Sequence, residues 1–331
     1  MARVLSGIQP SGEVHLGNYI GAIRQWAADQ DEFDSFYVIV DLHAITVAQD
    51  PAELRQATVE LAAILLAAGI DPNRATLFVQ SHLPEHPQLA WVLNCIATFG
   101  ELRRMTQFKD KAAKQKEASV SVGYFDYPVL QAADILLYQA DRVPVGEDQR
   151  QHLELARDIA QRFNSRFGET FVVPEAAIPR VGARVMDLQN PTAKMSKSAE
   201  SPQGTIRVTD SVDEIQKKVK VAVTDSGRDI VASPDKPAIT NLLTILSVAT
   251  GKAVADLEET YAGKGYADLK RDLADAIIEF LRPLQQRYAE LRAEPDEIAR
   301  LLEIGADKAQ AVASKTLAAA YERMGFLPRR R

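Results

Sequence analysis

With 331 residues, 46% of them apolar and 25% charged, the chain has the make-up of a globular protein with room for two domains and a sizeable core. Its single cysteine, Cys95, excludes intrachain disulfides and cysteine-built zinc or iron–sulfur sites, and a net charge of −6 excludes a uniformly basic surface, leaving only local patches for nucleic acid. No apolar run reaches membrane-spanning length and no apolar stretch follows a basic flank at the start, so we expect no membrane span and no signal peptide, and a reducing cytoplasm fits.

In chain order, Val4 and Leu5 open a short apolar run that leads into the glycine-, proline- and serine-rich stretch GIQPSGEVHLG. A helical pattern follows with Tyr19, Ile23 and Trp26 on one face. Phe36 to Val40 reads as a buried strand. Pro51 starts a helix carrying Leu54, Leu61, Leu65 and Ala68, which Gly69 and Asp71-Pro72 stop. TLFVQ is a further strand and Pro87 to Phe99 a further helix. Arg103 to Gly123 is basic and weakly periodic and reads as a mobile insert; AADILLYQA, around Asp134, reads as helical; Val143 to Val145 is a short strand. Asp148 to Phe167 is an amphipathic helix with Leu153, Ala156, Ile159, Ala160 and Phe163 facing inward. Alternation of this kind predicts an α/β fold, a doubly wound parallel sheet covered on both faces.

After about Ser201 the strand signals fade. Ser211 with Glu214 predicts a capping box. Segments 241–250, 253–262, 266–293 and 295–323 read as helices, so the second part is helical. The division expected is 1–205, with a connecting insert at about 103–140, and 206–331.

Two segments carry chemistry. In Gln9-Pro10-Ser11-Gly12 and His15-Leu16-Gly17-Asn18, a strand enters a glycine-rich turn and then a helix. Such a turn offers backbone N–H groups and a helix start to phosphate. In Lys194-Met195-Ser196-Lys197-Ser198, two ammonium groups three residues apart suit a loop that neutralises charge on a leaving pyrophosphate. His82 and His86 flank Pro84 and read as incidental loop histidines; no metal site is expected. Trp26, Trp91 and Cys95 read as core. Basic patches fall at Arg103, Arg104, Lys109, Lys111, Lys114 and Lys116, at Lys217, Lys218 and Lys220, and at Arg329 to Arg331.

The pair HLGN and KMSKS resembles the two signatures of class I aminoacyl-tRNA synthetases, with Asn18 standing where a histidine is usual. The stretches SGIQPSGEVHLGNYIGAI, VDLHAIT, GELRRMTQFKDK, AADILLY, VPVGEDQRQHLELARDIAQRFN and VGARVMDL resemble the bacterial tryptophanyl-tRNA synthetase family, from residue 3 to about residue 325.

The resemblance implies a Rossmann-like catalytic domain, a helical C-terminal domain that contacts tRNA(Trp) at the anticodon, and a homodimer. It implies ATP with Mg2+ carried on its phosphates, L-tryptophan as the amino acid, and no DNA or membrane partner. It further implies that Gln9, Pro10, Ser11, Gly17, Asn18, Gly146, Glu147, Asp148 and Val185 hold ATP together with Lys194, Met195, Ser196, Lys197 and Ser198. Lys194, Lys197 and Lys111 would serve the phosphates in catalysis. Asp134 would accept the indole N–H of tryptophan, with Gln131, Tyr127, His43 and Gln149 around the pocket. At Gln131 the family commonly has methionine. The spacing Tyr127, Gln131, Asp134 also resembles the tyrosine-reading helix of tyrosyl-tRNA synthetases, so the residues alone leave the tyrosyl alternative open.

Overall fold

The computed structural model describes residues 1–114, 120–144, 146, 149–177, 184–196 and 201–328, without the side chains of 111–114. Five parallel strands, β1 (Arg3–Ile8), β2 (Asp34–Ile39), β3 (Thr76–Val79), β4 (Arg142–Pro144) and β5 (Glu175–Ala177), stand in the order β3-β2-β1-β4-β5. β2 and β3 are buried at almost every position, as strands covered on both faces must be.

The crossovers are helical. α1 (Leu16–Asn18), a π-helical turn at Tyr19–Ile23 and α2 (Arg24–Asp29) join β1 to β2, and α3 (Asp41–Ala44) and α4 (Pro51–Ala67) join β2 to β3. Asp50 caps α4 by accepting from the N–H groups of Ala52 and Glu53, and Pro51 starts it with its φ already set. Between β3 and β4 run α5 (Glu85–Asn94), α6 (Phe99–Arg103), α7 (Thr106–Lys114) and α8 (Val122–Leu137), and α9 (Arg150–Phe167) leads to β5. The inward face expected for α9 is buried throughout. Each large apolar side chain so placed contributes roughly 1.5–3 kcal/mol.

Several expectations are corrected. Within Arg103 to Gly123 the described residues end α6, form α7 and begin α8, so the stretch is not irregular; Ser121 caps α8 by accepting from the Tyr124 N–H. The helix expected from Pro87 to Phe99 begins at Glu85 and ends at Asn94. Trp91 is 72% exposed, because Leu89, Val92 and Leu93 form the buried stripe of α5 and turn Trp91 away from it. Cys95, just past that helix, is also exposed.

The helical remainder consists of α10 (Val212–Lys220), α11 (Pro237–Thr250), α12 (Val254–Thr260), α13 (Tyr266–Ala293) and α14 (Pro295–Arg323). The capping box is present: Ser211 Oγ accepts from the Glu214 N–H, and the Glu214 carboxylate accepts from the Ser211 N–H. Lys218, read as a surface cation, is buried and donates to Asp210 at 2.5 Å, so only Lys217 and Lys220 of that patch face solvent. Among the described residues no single helix is long and apolar enough to cross a membrane.

The helices share the core of the sheet. Ile215, Leu243, Leu273 and Leu302 belong to one apolar cluster with Leu61 and Leu65 of α4, and Ala309, Ala313 and Leu317 of α14 join the cluster of α5, α8 and α9. α14 lies along edge strand β3, which keeps its unpaired side from solvent. At their closest approach Gly305 meets the Leu77 carbonyl with no room for a Cβ. Gly305→Ala should therefore cost about 1–3 kcal/mol, as overpacking does. A thermal melt should show Tm lowered by several degrees, and an unchanged Tm would mean that α14 yields freely at this contact.

Candidate active site

The strand order reverses direction between β1 and β4, and a cavity of about 540 Å³ opens there at the carboxyl ends of the strands. Leu5, Gly7, Ile8 and Gln9 line it from β1 and its turn, Val38, Val40 and His43 from β2 and α3, and Val143, Pro144 and Gln149 from β4 and the chain beyond. α8 adds Tyr127, Gln131 and Asp134, whose spacing of four and then three puts them on one helical face.

Asp134 is 2% exposed and its carboxylate is well supplied with donors. His43 Nε2 lies 2.7 Å from Oδ2; Gln80 Nε2 and His86 Nδ1 each lie 2.7 Å from Oδ1. Burial alone would raise the Asp134 pKa; the charge and hydrogen bond of His43, then the hydrogen bond of His86, outweigh it and hold the group below the usual carboxylate range. The surroundings carry a further polar network. Tyr127 Oη bonds Gln107 and lies 3.0 Å from His152 Nε2; His152 Nδ1 lies 2.9 Å from Gln149 Oε1, which also accepts from Gln131 Nε2 at 3.3 Å. Burial raises the Tyr127 pKa, so its hydroxyl keeps its proton.

The glycine-rich turn is built as a helix entry. Gly12 takes φ +63°, which glycine adopts without strain. His15 Nδ1 accepts from the Asn18 N–H at 3.2 Å, and Asn18 Oδ1 accepts from the His15 N–H at 3.3 Å. Asn18, the departure from the usual signature, thus closes a reciprocal cap, and the ring proton of His15 falls on Nε2.

The lysine loop sits beside this turn. Met186 and Lys194 pair as a short antiparallel bridge; Asp187 N–H donates to the Ala193 carbonyl at 2.9 Å and Met195 N–H to the Val185 carbonyl at 3.1 Å. Asp187 Oδ1 ties the intervening turn through the N–H groups of Gln189 and Asn190. Met195 is buried in the core with Val185 and Leu188, which leaves Lys194 exposed on the adjoining position. The chain then returns past the turn, Leu16 N–H donating to the Ile206 carbonyl at 2.8 Å and Val208 N–H to the Val14 carbonyl at 3.0 Å.

A Cβ on Gly17 would lie 3.0 Å from His15 Nδ1 and 3.5 Å from the Met195 Cβ. On the expectation that this turn holds ATP, Gly17→Ala should push the His15 ring and the lysine loop apart and raise the KM for ATP several-fold without unfolding the chain. Unchanged ATP kinetics would show that this contact has slack.

The structure thus brings His43, Tyr127, Gln131, Asp134 and Gln149 to one cavity with Gln9, and sets Gly17 against Met195. Ser11 donates to Gln9 Oε1 at 3.4 Å, and the Gly146 carbonyl accepts from the Gln149 N–H at 3.0 Å. Glu147, Asp148, Lys197, Ser198, Val145, Lys116 and the tail 329–331 lie outside the described residues, as does the side chain of Lys111. His86, read as an incidental loop histidine, is wholly buried on the Asp134 carboxylate, which corrects that expectation. Gln80 was missed altogether. Its signal is its place: it directly follows an apolar parallel strand, at the carboxyl end of the sheet where polar side chains gather behind a site.

Residues 1–282 match the family described as tRNA synthetases class I (W and Y), and the chain belongs to that family. Its relatives narrow the assignment. The chain is 58% identical to tryptophan–tRNA ligase 2 of Streptomyces avermitilis over 98% of its own length and 97% of the relative's. It superposes on the crystal structure of tryptophanyl-tRNA synthetase from Mycoplasma pneumoniae with TM-score 0.88 at 39% identity, covering 99% and 98% of the two chains. The Campylobacter jejuni enzyme complexed with ADP and tryptophan gives TM-score 0.86 at 37% identity, with 98% and 100% covered. Within the family the chain groups with the bacterial tryptophan–tRNA ligases, and the tyrosyl alternative falls behind.

Proposed function

We propose that the protein activates L-tryptophan with ATP, giving tryptophanyl-adenylate and pyrophosphate, and then transfers the tryptophanyl group to the terminal ribose of tRNA(Trp), at its 2′-hydroxyl. The observation that carries this reading is the cavity that Gln9 and the ionised Asp134 both line, at the switch point of a sheet shared with tryptophan–tRNA ligases. The attacking tryptophan carboxylate is already ionised at neutral pH, so the reaction needs no general base. What it needs is two anions held in line and the charge on the leaving pyrophosphate neutralised.

Asp134 would accept the indole N–H, with His43, Tyr127, Gln131 and Gln149 around the amino acid. Gln9, Pro10, Ser11, Gly17, Asn18, Gly146, Glu147, Asp148 and Val185 would hold ATP. The loop from Lys194 through Met195 and Ser196 to Lys197 and Ser198, with Lys111, would serve the phosphates. Mg2+ would enter as part of the MgATP substrate, carried on its phosphates. Residues 1–205 would carry this chemistry and residues 206–331 would contact the anticodon, in the cytoplasm.

The homodimer has support in one exposed apolar face. Ile45, Trp91, Phe99 and Val122 are all more than half exposed. They adjoin: Ser121 Oγ bonds the Thr46 carbonyl, Asn94 bonds Asp126, and the rings of Phe99 and Phe125 stand 5.0 Å apart. A patch of large apolar side chains on a folded chain marks a contact surface. Trp91→Asp should convert a dimer to a monomer in sedimentation; a dimer that survives it would place the interface elsewhere.

The test of the reaction is ATP–pyrophosphate exchange with each amino acid in turn. Tryptophan should support it well above all others. Faster exchange with tyrosine would overturn the substrate assignment, and exchange with no amino acid would overturn the activity.

A further inference from the structure

We infer that Gln80, His86 and Tyr138 are positioning residues that set the substrate selectivity of the site by leaving the Asp134 carboxylate one acceptor position facing the cavity. The inference rests on the reading above, that Asp134 accepts the ring N–H of the amino acid.

A carboxylate offers about four acceptor positions, two on each oxygen. Oδ1 of Asp134 takes both Gln80 Nε2 and His86 Nδ1, at 2.7 Å each, and is filled. Oδ2 takes His43 Nε2 at 2.7 Å, which leaves one position. Asp134 and His43 line the cavity, whereas Gln80 and His86 do not and are 0% exposed. The remaining position is therefore on the cavity side, and the two residues that fill the far side act only through Asp134.

Both are locked as donors. The Gln80 Oε1 accepts from the Leu42 N–H at 3.1 Å, so its amide N–H₂ must face Asp134. His86 Nε2 lies 2.8 Å from Tyr138 Oη. The Asp134 carboxylate can only accept, so the proton of a neutral His86 ring lies on Nδ1 and Nε2 accepts from Tyr138 Oη, whose pKa burial and then the Asp134 charge drive far up. A carboxylate fixed in rotation, charged and with one position open suits a flat ring carrying one N–H. It is poor for a ring that offers no donor, which would leave a buried charge short of a partner.

The test compares tryptophan with its benzothiophene analogue, in which sulfur replaces the indole N–H, in ATP–pyrophosphate exchange. The parent should prefer tryptophan by about 10- to 100-fold in kcat/KM. Gln80→Met and His86→Leu should each reduce that preference at least fivefold. Most of the change should come from a higher KM for tryptophan, with the KM for ATP unchanged. His86→Gln, which restores a side-chain donor, should recover part of it, and Tyr138→Phe should reduce it two- to fivefold by freeing the His86 ring. Should His86→Leu fail to fold, Gln80→Met and Tyr138→Phe decide the question. Variants that slow both amino acids equally, the preference intact, would overturn the inference and leave these residues as packing. A parent enzyme that activates neither amino acid would instead overturn the reaction assigned above, and one that activates both equally would overturn the role of Asp134.

Discussion

Replacing Lys194 by alanine is expected to lower the rate of adenylate formation by about 10²–10³-fold while the KM for ATP changes only a few-fold. The size is that seen when one preorganised donor to developing negative charge is removed. The split follows from where charge appears: the pyrophosphate gains its full charge only as the bond to the α-phosphate breaks, so an ammonium placed for it acts mainly in the transition state. Lys194 is suited to this by its setting. Its neighbour Met195 is buried and the Met186 bridge fixes the backbone, so the loop is anchored, yet the Lys194 side chain is exposed. The substitution therefore leaves the core untouched and Tm should not move. Single-turnover measurements at saturating ATP check the result; a lost ATP affinity with the rate preserved would show that Lys194 binds the ground state instead. Lys197→Ala is expected to behave in the same way.

The second large effect is at Asp134. Asp134→Asn should lower kcat/KM for tryptophan by at least 10- to 100-fold, with ATP affinity nearly intact. The oxygen of an asparagine can still accept from part of the surrounding set, but its N–H₂ must face a donor. With the amide N–H₂ in the Oδ2 place it meets His43 and the substrate N–H, and in the Oδ1 place it meets Gln80 and His86, so either rotamer sets donor against donor. An unmet buried donor costs roughly 1–3 kcal/mol. Asp134→Ala strands all three donors at once and should lose stability as well, so the asparagine variant is the cleaner measurement.

The pH behaviour has a definite sign. Because the folded-state pKa of Asp134 is depressed, its contribution to stability is fully present above the unfolded value of about 3.9 and is lost only as pH falls through the lower folded value. Between pH 5 and 9 the parent should show no loss of tryptophan binding attributable to Asp134. Equal tryptophan kinetics in parent and Asp134→Asn would remove Asp134 from substrate recognition.

The sequence by itself determined the alternating strands and helices, because buried parallel strands must be apolar at nearly every position and their covering helices carry a 3.6-residue stripe. Phe36 to Val40, TLFVQ, and the α9 stripe from Leu153 to Phe163 are of this kind. It also determined the local devices that act within a few residues: the Pro51 helix start, the Ser211 cap, the glycine-rich turn and the lysine loop. Even the departure at Asn18 has a local reason in the reciprocal cap with His15.

Only the tertiary structure decided what depends on residues far apart in the chain. Gln80 and His86 reach Asp134 across 54 and 48 positions, and no spacing rule joins them. Lys218 looked like a surface charge until Asp210 was found beside it in the interior. Trp91 and Cys95 looked like core because an apolar residue on a helix is ambiguous until its neighbours are known; α8 packs on the other side of α5, and both were left outside. The return of α14 onto β3, through Gly305, was hidden for the same reason: a glycine needed for close approach has no local signature, and only the Leu77 carbonyl explains it.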